Sequence, residues 1–98
     1  MIFEQATIQV APEKAVAFEA AIAATAPLFR RAQGCTSLAL ERMVETPGRY
    51  VLRIGWNTVE DHTEIFTKSA DFAEFVAMAG PFMTETPSVI HVVPTSLF

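Results

Sequence analysis

The chain has a single cysteine, Cys35, so no internal disulfide can form. Its neighbours Gly34 and Thr36 belong to no CxxC motif. That usage fits a reducing compartment, and we expect a cytoplasmic protein. Positive charge is also scarce: seven Lys and Arg stand against eleven Asp and Glu, for a net charge of −4. The basic residues are scattered rather than clustered, so the electrostatic footprint of a nucleic-acid binder is missing. No apolar run approaches the roughly 18 to 20 residues that a spanning helix needs, and the start carries Glu4 and Gln5 where a secretion signal would be basic and then apolar. Membrane insertion and export are therefore not expected. There is no repeat, low-complexity segment or linker, and 98 residues suffice for one domain, taken here as residues 1–98. What the chain does have is apolar content, 51% hydrophobic against 18% charged residues. A core of this size cannot enclose it all, so part of the surface is expected to meet another chain.

Ile2 to Val10 alternates with the period of a strand, placing Ile2, Glu4, Ala6, Ile8 and Val10 on one face. Pro12 suits a helix start, and the alanine-rich run Glu13 to Ala32 has high helix propensity, with Val16, Phe18, Ile22, Thr25 and Phe29 as the predicted buried stripe. Pro27 should kink its last turns and Gly34 should end it in a left-handed conformation. Alternation returns over Cys35 to Glu45 and Tyr50 to Trp56, joined by the turn Thr46-Pro47-Gly48-Arg49, which predicts a hairpin. Asn57 or Thr58, with Glu60 or Asp61 three residues on, offers a capping box for a helix whose inward stripe is Val59, His62, Phe66 and Ser69. Ser69 can cap a second short helix carrying Phe72, Phe75, Val76 and Ala79, closed by Gly80-Pro81. The segment from Ser88 to Val93 is apolar on both faces, as for a strand covered on both sides.

The order β-α-β-β-α-β, with right-handed crossovers, predicts an α+β fold of the ferredoxin-like type: a four-stranded antiparallel sheet with helices on one face. The other face is then bare, with Val51, Ala39, Met43 and either Val89 or Ile90 near it. An apolar patch of that extent usually marks an interaction site, and sheet-to-sheet homodimerisation is the expected use.

The segment Tyr50 to His62 (YVLRIGWNTVEDH), the Ser69-to-Phe72 step, Gly80-Pro81-Phe82 and the closing Pro87 to Val92 together resemble an antibiotic biosynthesis monooxygenase-type domain over nearly the whole chain. The resemblance implies a dimeric α+β barrel. It also implies, for some members, oxidation of phenols or quinols by O₂ without metal or flavin, the substrate supplying the electrons. Fold alone does not assign chemistry. The haem-degrading branch of that family carries an Asn in its first strand, a Trp after the third strand and a ligating His. This chain has Gln5 and Gln9, Ile65 and Phe66, and Ala77 to Ala79 at those places, so no haem is expected.

His62 interrupts an apolar stripe. It is either a structural imidazole or a pocket base, and an unperturbed pKa near 6.5 makes it the candidate catalytic residue. His91 either shares that pocket or faces a partner chain. Trp56 is either core or an aromatic pocket floor, and Phe66 and Phe75 form an apolar wall suited to a planar ligand. Two histidines with no further ligands fall short of a zinc site, so no metal or other cofactor is expected. Glu41 and Arg53 are read as a cross-strand ion pair. The expected function is cofactor-independent monooxygenation of a small hydrophobic aromatic or quinol-like substrate. The alternatives are a non-catalytic dimeric binding protein for a hydrophobic metabolite and a family member without such a role.

Overall fold

A computed structural model describes residues 1–98. Four strands, β1 (Ile2–Gln9), β2 (Cys35–Arg42), β3 (Arg49–Trp56) and β4 (Ser88–Val92), form one sheet in the order β2-β3-β1-β4 with every neighbouring pair antiparallel. Helices α1 (Ala15–Arg30) and α2 (Ala70–Ala79) cover one face. The architecture is α+β and ferredoxin-like. No helix is long and apolar enough to cross a membrane.

The period-two pattern does what it dictates. Glu4, Ala6, Ile8 and Val10 of the first segment and Tyr50, Leu52, Ile54 and Trp56 of β3 are buried beneath the helices. From α1, Phe18, Ile22, Thr25, Leu28 and Phe29 enter the same core. Val16 does not: it is 84% exposed. Two helical positions before Phe18, it lies some 200° away around the axis, on the opposite side. Helix α1 continues through Pro27 as far as Arg30.

Gly34 has φ +77° and Gly48 has φ +81°, the left-handed values that favour glycine. At the hairpin, the Arg49 amide donates to the Thr46 carbonyl at 3.1 Å, closing a turn with Pro47 and Gly48 at its centre.

Two further expectations change. Strand β4 is an edge strand with much of its length exposed, Ile90 at 53%, rather than a strand covered on both sides within the chain. Its Val89 turns to the helix side, opposite Ala6, while Ile90 pairs with Gln5 on the bare side. Arg53 does not pair with Glu41, because the register sets Arg53 opposite Ala39 and Glu41 opposite Val51. The guanidinium lies instead over the Phe3 ring, 4.3 Å from its centre.

Candidate active site

After Trp56 the chain enters a widened, π-helical turn, Asp61–Ile65, where regular helix was expected. Thr58 opens it, its hydroxyl accepting the Asp61 amide at 3.1 Å. The Phe66 amide then reaches back to both the Asp61 and His62 carbonyls. Hydroxyls of Thr63 and Thr67 donate to the carbonyls of Val59 (3.2 Å) and Thr63 (2.7 Å), competing with regular helical bonds. The consecutive side chains Asp61 and His62 of this turn are both buried. Such turns recur at functional sites. Asp61 accepts a bond from Gln33 at 3.1 Å and packs over Gly34, where a Cβ would collide with its carboxylate. The glycine thus serves both the backbone turn and the seating of the residue next to His62.

His62 descends onto the sheet where β1 and β4 present Glu4 and His91 as direct cross-strand partners. Its Nδ1 lies 2.8 Å from His91 Nε2, and its Nε2 lies 3.3 Å from Glu4 Oε1. The same carboxylate oxygen accepts the indole N–H of Trp56 at 3.0 Å. The Trp56 and His62 rings stack, 5.6 Å between centres and 19° between planes. Glu4 and His62 keep only 7% and 9% of their side-chain surface. Burial pushes the Glu4 carboxyl from its ordinary 4.5 up to about 7, against the lowering effect of the Trp56 bond. Burial, reinforced by the neighbouring His91, pulls the His62 imidazole from 6.5 down to about 4. At neutral pH, His62 is therefore an uncharged ring and Glu4 sits near its midpoint. Glu4 and His91 approach opposite nitrogens of His62, so the three groups do not converge on one point as metal ligands must.

A cavity of about 390 Å³ opens between sheet and α2, bordered by Glu4, His62, Phe66, Phe72, Phe75 and Val76 among others. Its walls are mostly apolar, and Glu4 and His62 are its two titratable groups. A second, wider groove of about 560 Å³ lies between α1 and β2. Its carboxylate, Glu19, is already engaged by Arg42 at 2.7 Å and by the Tyr50 hydroxyl at 2.6 Å, so the first cavity is the better site for chemistry.

Of the residues singled out from sequence, His62, Phe66 and Phe75 border this cavity, whereas Trp56 and His91 do not. Trp56 is no pocket floor. Its ring is fully enclosed, covered by His62 and by Phe66 at 5.4 Å, and its polar edge is turned to Glu4. His91 faces the helices and stands behind His62. Glu4 was not singled out at all. Its signal was there, because a carboxylate on the inward face of an alternating strand is seldom fully buried without a role or a partner.

A family model described as antibiotic biosynthesis monooxygenase matches residues 1–78. The chain belongs to this family. Among solved structures, a candidate antibiotic biosynthesis monooxygenase from Bordetella bronchiseptica is 42% identical, with TM-score 0.94 and 97% of each chain covered. A family member from Caulobacter crescentus is 23% identical, with TM-score 0.82 over 97% of this chain and 90% of that one. At that identity the likeness shows the fold alone. The uncharacterized protein YczJ of Bacillus subtilis strain 168 is 32% identical over 91 residues, 93% of this chain and 96% of its own. Membership in the antibiotic biosynthesis monooxygenase family thus rests on the family model and on relatives that span nearly the whole chain.

Proposed function

We propose that this chain is a monooxygenase that oxidises a small hydrophobic phenol or quinol with O₂, using neither metal nor flavin. The observation that carries the reading is an apolar cavity of about 390 Å³ with one polar corner, formed by Glu4 and His62. Phe66 and Phe75 would flank the ring of a planar substrate, and its hydroxyl would meet the corner. Loss of the hydroxyl proton comes first, because a phenolate gives an electron to O₂ far more readily than a neutral phenol. Radical and superoxide then join in a C–O bond, and the resulting peroxide loses water. Overall RH₂ and O₂ become RO and H₂O, all electrons coming from the substrate.

Glu4 is the proton acceptor in this reading. Its pKa near 7 matches the working pH, as general-base catalysis favours. Its Oε1 is engaged by Trp56 and His62, while Oε2 has no partner in the protein. No buried side-chain oxygen lacks a partner, so Oε2 is open to the cavity. His62, the base expected from sequence, acts beside it: both its nitrogens are already directed at neighbours, and it receives the proton from Glu4. Trp56 holds the carboxylate and His91 backs His62. The protein works in the cytoplasm as a homodimer through the bare sheet face, where Phe3, Val51, Ile90 and Val92 point away from the helices.

Oxygen uptake with a panel of quinols and hydroxynaphthoquinones tests this. Turnover by the wild type, reduced about 10²- to 10⁴-fold in Glu4→Gln and substantially in His62→Gln, is the expected result. Tight binding of panel members without uptake would make the chain a carrier of hydrophobic metabolites and refute the enzymatic reading.

A further inference from the structure

The contacts at the polar corner continue beyond it. Glu4 borders the cavity, His62 links Glu4 to His91, and His91 is only half-buried, on the edge strand β4. The remaining ring nitrogen of His91, Nδ1, has no partner within the protein. Since no buried side-chain nitrogen lacks a partner, water reaches it. The line therefore runs from the cavity wall at Glu4 to a solvent-reached nitrogen on the edge strand.

We propose that Glu4, His62 and His91 form a proton wire that lets Glu4 exchange its proton with solvent while a ligand fills the cavity. The inference rests on the reading of Glu4 as the acceptor, but it concerns traffic behind the site rather than the oxidation itself. When Glu4 is protonated and its carboxyl has turned to bring the proton-bearing oxygen to His62, the array points outward, with the carboxyl O–H donating to His62 Nε2 and His62 Nδ1–H donating to His91 Nε2. One concerted shift then empties it. The Glu4 O–H bond breaks as His62 Nε2–H forms, His62 Nδ1–H breaks as His91 Nε2–H forms, and the proton on His91 Nδ1 passes to water or buffer. The outcome is an ionised Glu4 with both imidazoles neutral and the array now pointing inward, and the reverse shift reloads it. No group carries a lasting extra charge, which suits an imidazole that burial keeps neutral. The 3.3 Å step between His62 and Glu4 is the long joint, and it needs a movement of a few tenths of an ångström to reach ordinary hydrogen-bond length.

The protein carries its own reporter. Trp56 is the one tryptophan in the chain, and its indole N–H donates directly to Glu4. The other titratable groups near the carboxyl are His62, His91 and the half-buried Cys35 on β2, which couples to it electrostatically. Cys35→Ser in all samples removes the thiol from the titration.

In the ligand-free protein, the indole ¹⁵N–¹H resonance should follow a single step with a midpoint near 7, and that step should vanish in Glu4→Gln. A stopped-flow pH jump across this midpoint, in a Val76→Phe background shared by every sample whose added ring closes the cavity and keeps water from reaching Oε2 directly, then measures by Trp56 fluorescence how fast Glu4 exchanges. His91→Ala and His91→Asn should keep the equilibrium step but slow relaxation about tenfold or more, with added imidazole restoring the rate in His91→Ala. His91→Asn keeps a hydrogen-bonding side chain, so its slowness separates proton transfer from mere support. Relaxation as fast as wild type in both variants would overturn the wire, as would slowness that imidazole leaves untouched or an indole step that persists in Glu4→Gln. None of these readings needs a substrate, so a failed oxygen-uptake screen and a failed wire are separate results.

Discussion

Replacing Glu4 by Gln should make the fold more stable at alkaline pH and not in acid, the opposite of losing a surface carboxylate held in a salt bridge. The reason is the direction of its shift. A carboxyl raised from 4.5 in the unfolded chain to about 7 in the folded one binds its proton more tightly when folded. Its favourable contribution is complete below about pH 4.5 and is lost as pH climbs through about 7. The full shift corresponds to about 3 kcal/mol, and the part falling between pH 5 and pH 8 is about 2 to 3 kcal/mol. His62 works the other way. Its imidazole drops from 6.5 to about 4, so its contribution is present above about 6.5 and is lost as pH falls through about 4. From about 4.5 to 6.5 the two slopes oppose, and wild-type stability should be nearly flat there.

Gln keeps the shape of Glu, and its amide can still accept from Trp56 and lie against His62, so the variant removes the titration while leaving the packing. The His62 term is common to both proteins and cancels in their difference. Urea denaturation followed by Trp56 fluorescence, at pH 5 and pH 8 and at one fixed protein concentration, gives that difference directly. Relative to wild type, the Glu4→Gln midpoint should move upward by roughly 1 to 2 M between the two pH values, taking a slope near 1 to 2 kcal/mol/M for so small a domain. A difference that is the same at both pH values would refute the reasoning, since it would mean that Glu4 titrates alike in the folded and unfolded states.

Gly34→Ala should cost about 1 to 3 kcal/mol, because φ is +77° there and the new methyl meets the Asp61 carboxylate; thermal melting checks the loss, and the histidine ring resonances should show His62 displaced along with it. Val76 borders the cavity yet is 46% exposed, so Val76→Trp can fill the space from the outside. It should abolish binding of a naphthoquinol while leaving the melting temperature within a few degrees. Val51 lies on the bare sheet face, so Val51→Asp should convert a dimer to monomers in light scattering, an unpaired charge being costly in an apolar interface.

Most of the scaffold was legible from period and punctuation. Gly34, Gly48, Ser69 and the alternations of β1 and β3 each obey a local rule, and local rules are what a single sequence displays. The misses arose where a neighbour decides. Arg53 and Glu41 share a face by parity, but only the register tells that they stand two residues out of step, leaving Arg53 to find Phe3. The apolar β4 reads as an interior strand because composition alone does not tell a covered strand from an edge strand, whereas position within the sheet is set by pairing.

The candidate site followed the same division. His62 stood out because it breaks a helical stripe, and Trp56 because it ends a strand. Glu4 blended into β1 as the one charge in an otherwise apolar alternation, which a reader attributes to solvent. Its meaning comes from three separate stretches of chain: His91 across the ladder, Trp56 on β3, and a π-helical turn that no propensity announces. In that turn Asp61 and His62 are both buried, the first over Gly34 and the second against Glu4. Adjacent residues of one turn thus join Gly34, in the turn between α1 and β2, to the imidazole over the cavity, which is why a substitution at Gly34 is expected to be felt at His62.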